Sequence, residues 1–148
     1  MGDVNVVDDV ETKMTSIEVN GDDSYIEFPV QSSDQFVALQ LKNLDRFAKL
    51  VFRVHDNSGK NRTFIMSNRR TTVHLQNNTC QLPLEVGLGW QYLNIDLPSI
   101  TAKCFGTEFV HITNIMVYGS TRIGKIYFQD REYADLELPL FMRLLPTV

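Results

Sequence analysis

The sequence predicts an all-β protein: an antiparallel β-sandwich of jelly-roll type, with one or two short helices. Three observations predict it. Val, Ile, Thr, Phe, Tyr and Trp supply 49 of the 148 residues, whereas Ala supplies four. β-Branched and aromatic side chains suit a pleated, half-buried surface, and Ala is the strongest helix former. Period-two stretches recur along the chain, separated by turn residues at roughly 8–12-residue spacing. The length corresponds to about one domain of roughly 150 residues, so residues 1–148 are read as one sandwich.

The elements follow in order. Residues 16–19 (Ser-Ile-Glu-Val) and 25–28 (Tyr-Ile-Glu-Phe) alternate as strands around Asn20-Gly21-Asp22-Asp23. Residues 50–54 and 62–66 do the same around Asp56-Asn57-Ser58-Gly59-Lys60-Asn61. Asx side chains bond their own backbone and Gly accepts positive φ, so both connections are expected to be hairpin loops. Residues 92–96 and 123–128 supply two further strands. Only residues 98–105 read as a helix, with Pro98 in the first turn and Gly106 as a left-handed cap.

Composition excludes several classes. Apolar residues make up 43% and charged residues 22%, which argues against disorder. A net charge of −4 does not suit a nucleic-acid binder. No apolar run approaches the ~18 residues of a membrane helix, so no membrane partner is expected. The acidic start MGDVNVVDDVE lacks the basic and apolar parts of a signal peptide, which gives a cytosolic expectation. Cys80 and Cys104, the only cysteines, are accordingly read as reduced thiols rather than a disulfide.

Charge is unevenly distributed. Residues 1–30 carry eight acids against Lys13, and residues 42–70 carry eight bases against Asp45 and Asp56. Two readings stand: an acidic first hairpin balancing a basic strand pair, or a basic face that meets an acidic partner and sets its orientation. Arg69-Arg70, flanked by Asn68 and Thr71, reads as an exposed basic loop.

Catalytic motifs are absent. His55, His74 and His111 are scattered in strand-like runs, and no metal spacing or cofactor motif is present. Asp56-Asn57-Ser58-Gly59 superficially resembles a calcium loop, but Lys60, Asn61 and Arg62 follow where a closing acid would stand. The carboxylates Asp130, Glu132, Asp135 and Glu137 read as solvated surface. No enzyme activity and no cofactor are expected. Trp90 and Tyr92, two apart, share one strand face. They are either core or, if that face is concave and wet, a sugar-stacking platform.

Several segments resemble one family. They are Leu41-Lys42-Asn43-Leu44, Ser67-Asn68, Gly89-Trp90 leading into Leu93-Asn94-Ile95-Asp96-Leu97, and Phe105-Gly106-Thr107-Glu108-Phe109. The most diagnostic run is Arg122-Ile123-Gly124-Lys125-Ile126-Tyr127-Phe128-Gln129-Asp130-Arg131-Glu132-Tyr133, continuing through Glu137-Leu138-Pro139. Together they resemble the domain of cilia- and flagella-associated protein twenty, or Bug twenty-two. The chain begins at Gly2-Asp3-Val4 without that family's aromatic-rich leader and carries fewer arginines, as a diverged paralogue would.

The resemblance implies a non-enzymatic β-sandwich of the ciliary axoneme, similar in shape to carbohydrate-binding modules. It would bind tubulin of the A- and B-tubules at the inner junction of doublet microtubules, beside the Parkin co-regulated protein. A centriole or basal body is the alternative location. Because tubulin is acidic, the resemblance gives the basic segment from Lys42 to Arg70 a natural partner, with Lys60, Arg62, Arg69 and Arg70 as its candidate contacts. It makes Arg122, Lys125 and Arg131 a second basic group.

Overall fold

The computed structural model describes residues 2–9, 15–85, 87 and 89–130, with Asp45 described in its backbone only. The strands are β1 (Asp3–Asp8), β2 (Thr15–Asn20), β3 (Tyr25–Ser32), β4 (Phe36–Asp56), β5 (Asn61–Ser67), β6 (His74–Gln76), β7 (Thr79–Pro83), β8 (Gly89–Asp96) and β9 (Phe109–Gln129). One helix, α1 (Leu97–Phe105), lies between β8 and β9. Its boundaries follow local chemistry: the Asp96 carboxylate accepts from Ser99 N at 3.0 Å, and Gly106 N–H donates to Ala102 O.

β4 and β9 are each 21 residues long and form the antiparallel spine of one continuous sheet. Around residues 36–43 of β4 and 121–129 of β9, the order is β1-β2-β9-β4-β8. Around residues 48–56 and 109–119, it is β3-β9-β4-β5-β7-β6. The sandwich therefore has two leaves that share their two central strands. All pairings are antiparallel except β5 with β7.

Long strands depart from the expected series of short ones. The reason lies between Asn43 and Ala48, where the register slips. Asn43 faces Thr121 and Ala48 faces Gly119, so residues 44–47 bulge against the single residue Ser120. Gly119 sits at φ 91°, where an added Cβ would collide with the Phe47 carbonyl oxygen. A bulge and a left-handed glycine let the strands change leaf without ending. A polar run such as Asn43-Leu44-Asp45-Arg46 thus reads in sequence as a break between strands.

The connection at residues 20–24 is not a hairpin. β2 and β3 both pair with β9, on either side of Gly119, and not with each other. The turn, closed by Ser24 N to Gly21 O at 3.1 Å, carries the chain from one leaf to the other. The 56–61 loop is a hairpin as expected, joining β4 to β5.

The core sits between the leaves. Val37, Leu39 and Leu41 from the first half of β4 join Leu50, Phe52 and Val54 from its second half, with Val19, Phe64, Ile112, Ile115, Val117 and Ile123. Phe52, Phe64, Leu39 and Leu50 are fully buried, each contributing about 1.5–3 kcal/mol of transfer free energy. At the β2–β3 side the leaves part into an apolar gap of about 390 Å³ lined by Ile17, Phe28, Val30 and Phe128.

Candidate partner-binding surface

A side chain that bridges the bulge organises one corner of the molecule. Asn68 Oδ1 accepts from Ala48 N at 2.9 Å, and Asn68 Nδ2 donates to Arg46 O at 2.7 Å. The 44–47 bulge is thereby fixed to the end of β5, which places Arg46 and Phe47 beside Arg69. The Arg69 guanidinium stacks over the Phe47 ring at 4.5 Å, and its Nη1 lies 3.1 Å from Asp22 Oδ2. Arg69 and Asp22 are both more than half exposed, so this pair is screened and contributes little to stability.

Two polar clefts meet at Arg69. The larger, about 490 Å³, is bounded by Lys49, Ile65, Arg69, Arg70, Thr72 and Gln81. The smaller, about 290 Å³, is bounded by Asn43, Arg46, Phe47, Asn68 and Arg69. Lys49 Nζ stands 4.1 Å above the Tyr118 ring, and Tyr118 stacks on Tyr25 with centroids 4.8 Å apart. The corner offers Arg46, Lys49, Arg69 and Arg70 on a base of aromatic and small polar groups. An open, cationic, many-donor surface of this kind is suited to docking carboxylates of another macromolecule.

The other basic residues singled out in the sequence are placed differently. Arg62 is only 8% exposed. Its Nε donates to Asp56 Oδ2 at 2.7 Å, its Nη1 to Asn78 Oδ1 at 2.8 Å, and its guanidinium covers the Phe105 ring at 4.5 Å. Arg62 is thus a buried counter-ion, not part of an outward face. Asp56 also accepts from Ser58 N and Oγ, Lys60 N and Thr107 Oγ. Burial alone would raise its carboxyl pKa, but these hydrogen bonds hold it well below the usual range. The apparent calcium loop is this carboxylate folding its own turn, and no cluster of metal ligands occurs among the described residues.

Arg122 donates through Nε to Glu18 Oε1 at 2.7 Å and through Nη1 to Asp9 Oδ2 at 2.9 Å. These carboxylates raise its pKa, while Asn20 and then Arg122 lower that of Glu18. The acidic N-terminal segment therefore balances Arg122 and Arg69, and intramolecular neutralisation accounts for part of the charge asymmetry. Lys125 is half-buried, and that burial lowers its pKa. Lys60 is exposed but precedes β5, whereas Arg69 follows it, so the length of β5, about 20 Å at ~3.3 Å per residue, lies between them. Arg131 lies outside the described residues. Among the described residues singled out individually for the basic face, only Arg69 and Arg70 come together at one cleft.

Sequence reasoning includes Arg46 and Lys49 only as members of the basic 42–70 segment, without placing them at a common site, and it does not single out Asp9 as a contact. A signal for the first two was available in Asn43 and Asn68, polar side chains at positions where strands would otherwise continue. Asp9 is buried and accepts the Trp90 indole N–H at 2.9 Å. Trp90 is 8% exposed and packs over Gly124, where an added Cβ would stand 3.1 Å from its Cζ3. Tyr92 is half-buried with its hydroxyl toward Gln129. Trp90 therefore presents no open ring for a sugar, and the glycan-platform reading of Trp90 and Tyr92 is withdrawn.

Fold and surface define a β-rich sandwich module that, among the described residues, carries a solvent-open basic corner around Arg69. A family model described as the CFA20 domain matches residues 1–146, and the chain belongs to that family. It is 26% identical to Cilia- and flagella-associated protein 20 of Chlamydomonas reinhardtii, over 97% of this chain and 80% of that protein. It is 24% identical to the proteins of that name from Paramecium tetraurelia, over 93% and 77%, and from Caenorhabditis elegans, over 97% and 75%.

Proposed function

We propose that this chain is a non-catalytic structural component of cilia or flagella that docks on tubulin and a neighbouring protein at the inner junction of doublet microtubules. Family membership and the names of its relatives support the ciliary association. The observation that carries the docking reading is the pair of clefts meeting at Arg69, a cationic corner on a chain whose net charge is −4. A localised patch on an acidic molecule orients an encounter with an acidic surface such as tubulin instead of attracting polyanions everywhere. The neighbour expected beside it is the Parkin co-regulated protein or its equivalent. A permanent assembly requires several interfaces of about 1,200–2,000 Å² each, so function is spread over surface residues.

Co-sedimentation with microtubules over a salt series tests this. Binding should weaken with salt, fall when the lattice is trimmed by subtilisin, and be lost when Arg69 and Arg70 are both changed to Glu. Equal sedimentation of the wild type and that double variant at low salt would overturn the assignment of the corner.

A further inference from the structure

Cys80 lies in β7 with no exposed surface, and Cys104 is the penultimate residue of α1, half-buried. Both are free thiols, and Cys80 Sγ donates to Cys104 Sγ at 2.8 Å. Their approach is enforced by adjacent packing. Phe64 pairs with Cys80 in the β5–β7 register, and the ring of Phe105, next to Cys104, meets Phe64 edge-on at 5.5 Å. The Arg62 guanidinium also packs over the Phe105 ring, at 4.5 Å. Strand and helix are thus locked together at the residues beside each sulfur. Reaching a bond length of about 2.05 Å would move the sulfurs by less than about 1 Å.

We propose that Cys80 and Cys104 form a thiol–disulfide modification site, which takes a small disulfide such as oxidised glutathione as its oxidant and joins β7 covalently to α1. Cys104 is the entry point, because it alone reaches solvent and burial pushes the Cys80 thiol up to about 12. The Cys104 thiolate attacks one glutathione sulfur, the glutathione disulfide breaks, and one glutathione leaves. The Cys80 sulfur attacks Cys104 Sγ and expels the second glutathione as a thiolate, which takes up the Cys80 proton. Two protein thiols are oxidised by two electrons, and one glutathione disulfide is reduced to two thiols. The bond spans 24 positions of chain and ties down the strand whose Gln81 borders the larger basic cleft.

Incubating the purified protein with oxidised glutathione and measuring intact mass, denatured thiol content and Tm tests the proposal. The expected product has lost two hydrogens and both titratable thiols. Its Tm rises on the order of 5–10 °C, as closure of a loop of this size gives, and returns with dithiothreitol. The Cys80→Ala variant should instead stop as a glutathione adduct on Cys104, and Cys104→Ala should not react. A wild-type protein that accumulates a stable glutathione adduct, forms covalent dimers or keeps both thiols would overturn it. So would a Cys80→Ala protein that takes up no glutathione.

Discussion

Arg122 and Asp9 meet at 2.9 Å across the first leaf, with the Asp9 side chain 1% exposed. The other Asp9 oxygen holds the Trp90 indole at 2.9 Å, so one carboxylate ties the end of β1 to both β9 and β8. Replacing Asp9 by Ala would leave a half-buried guanidinium without one of its two carboxylates and an indole N–H without its acceptor. Loss of a buried partner of this type costs about 3–5 kcal/mol. Urea denaturation followed by Trp90 fluorescence should show this loss, and a cost under about 1 kcal/mol would contradict the buried geometry.

Asp56 predicts acid sensitivity with a defined sign. Its folded pKa is depressed, so the folded state binds fewer protons than the unfolded state near the ordinary Asp pKa of about 3.9. Its contribution is fully present above that value and is lost as pH falls through it toward the lower folded value. An Asp56→Asn protein should be less stable at pH 7 by about 2–4 kcal/mol, since it leaves Arg62 buried without its counter-ion. Its stability should also fall less steeply than the wild type's between about pH 5 and 2. Parallel stability curves would exclude the assignment.

Gly119 should tolerate no side chain. Alanine there combines a left-handed backbone with a collision at the Phe47 carbonyl. A loss of about 2–4 kcal/mol is expected from strain and displacement of the bulge, read as a lower midpoint in chemical denaturation.

Charge reversal separates docking residues from structural ones. Arg69→Glu removes only an exposed pair and a ring contact, so Tm should change by a few degrees at most. Microtubule binding should nevertheless fall. Lys60→Glu, at the far end of β5, should leave both intact. Arg62→Glu should unfold the protein, because it places a carboxylate against buried Asp56. Circular dichroism melts run beside the sedimentation assay distinguish the three outcomes.

Fold class, the helix read at residues 98–105 and the 56–61 hairpin are legible in the sequence, because each rests on local chemistry: alternation, a first-turn Pro with a capping Gly, an Asx turn. The length of β4 and β9 is not, since a bulge looks like a loop until Asn68 is seen holding it. The basic site is legible in part. Arg69 and Arg70 follow from an exposed polar run, but Arg62 and Arg122 look equivalent to them in one dimension. Their burial depends on partners up to 113 positions away, as for Arg122 and Asp9. Trp90 likewise pairs with an acid 81 positions distant.

The shared spine has a mechanical consequence. Where two layers meet only through side chains, they can slide over one another at the cost of apolar contacts. Here β4 and β9 run unbroken through both layers, joined along their length by main-chain hydrogen bonds. A pull applied to one layer passes to the other through covalent backbone and a ladder loaded in shear. The widest interruption of that ladder is the corner at Gly119 and residues 44–47, with smaller register shifts at Gln40/Leu41, Arg53/Val54 and His55/Asp56. The basic clefts sit on that corner, so a load applied there would enter the domain at its widest joint and be distributed from it along both long strands.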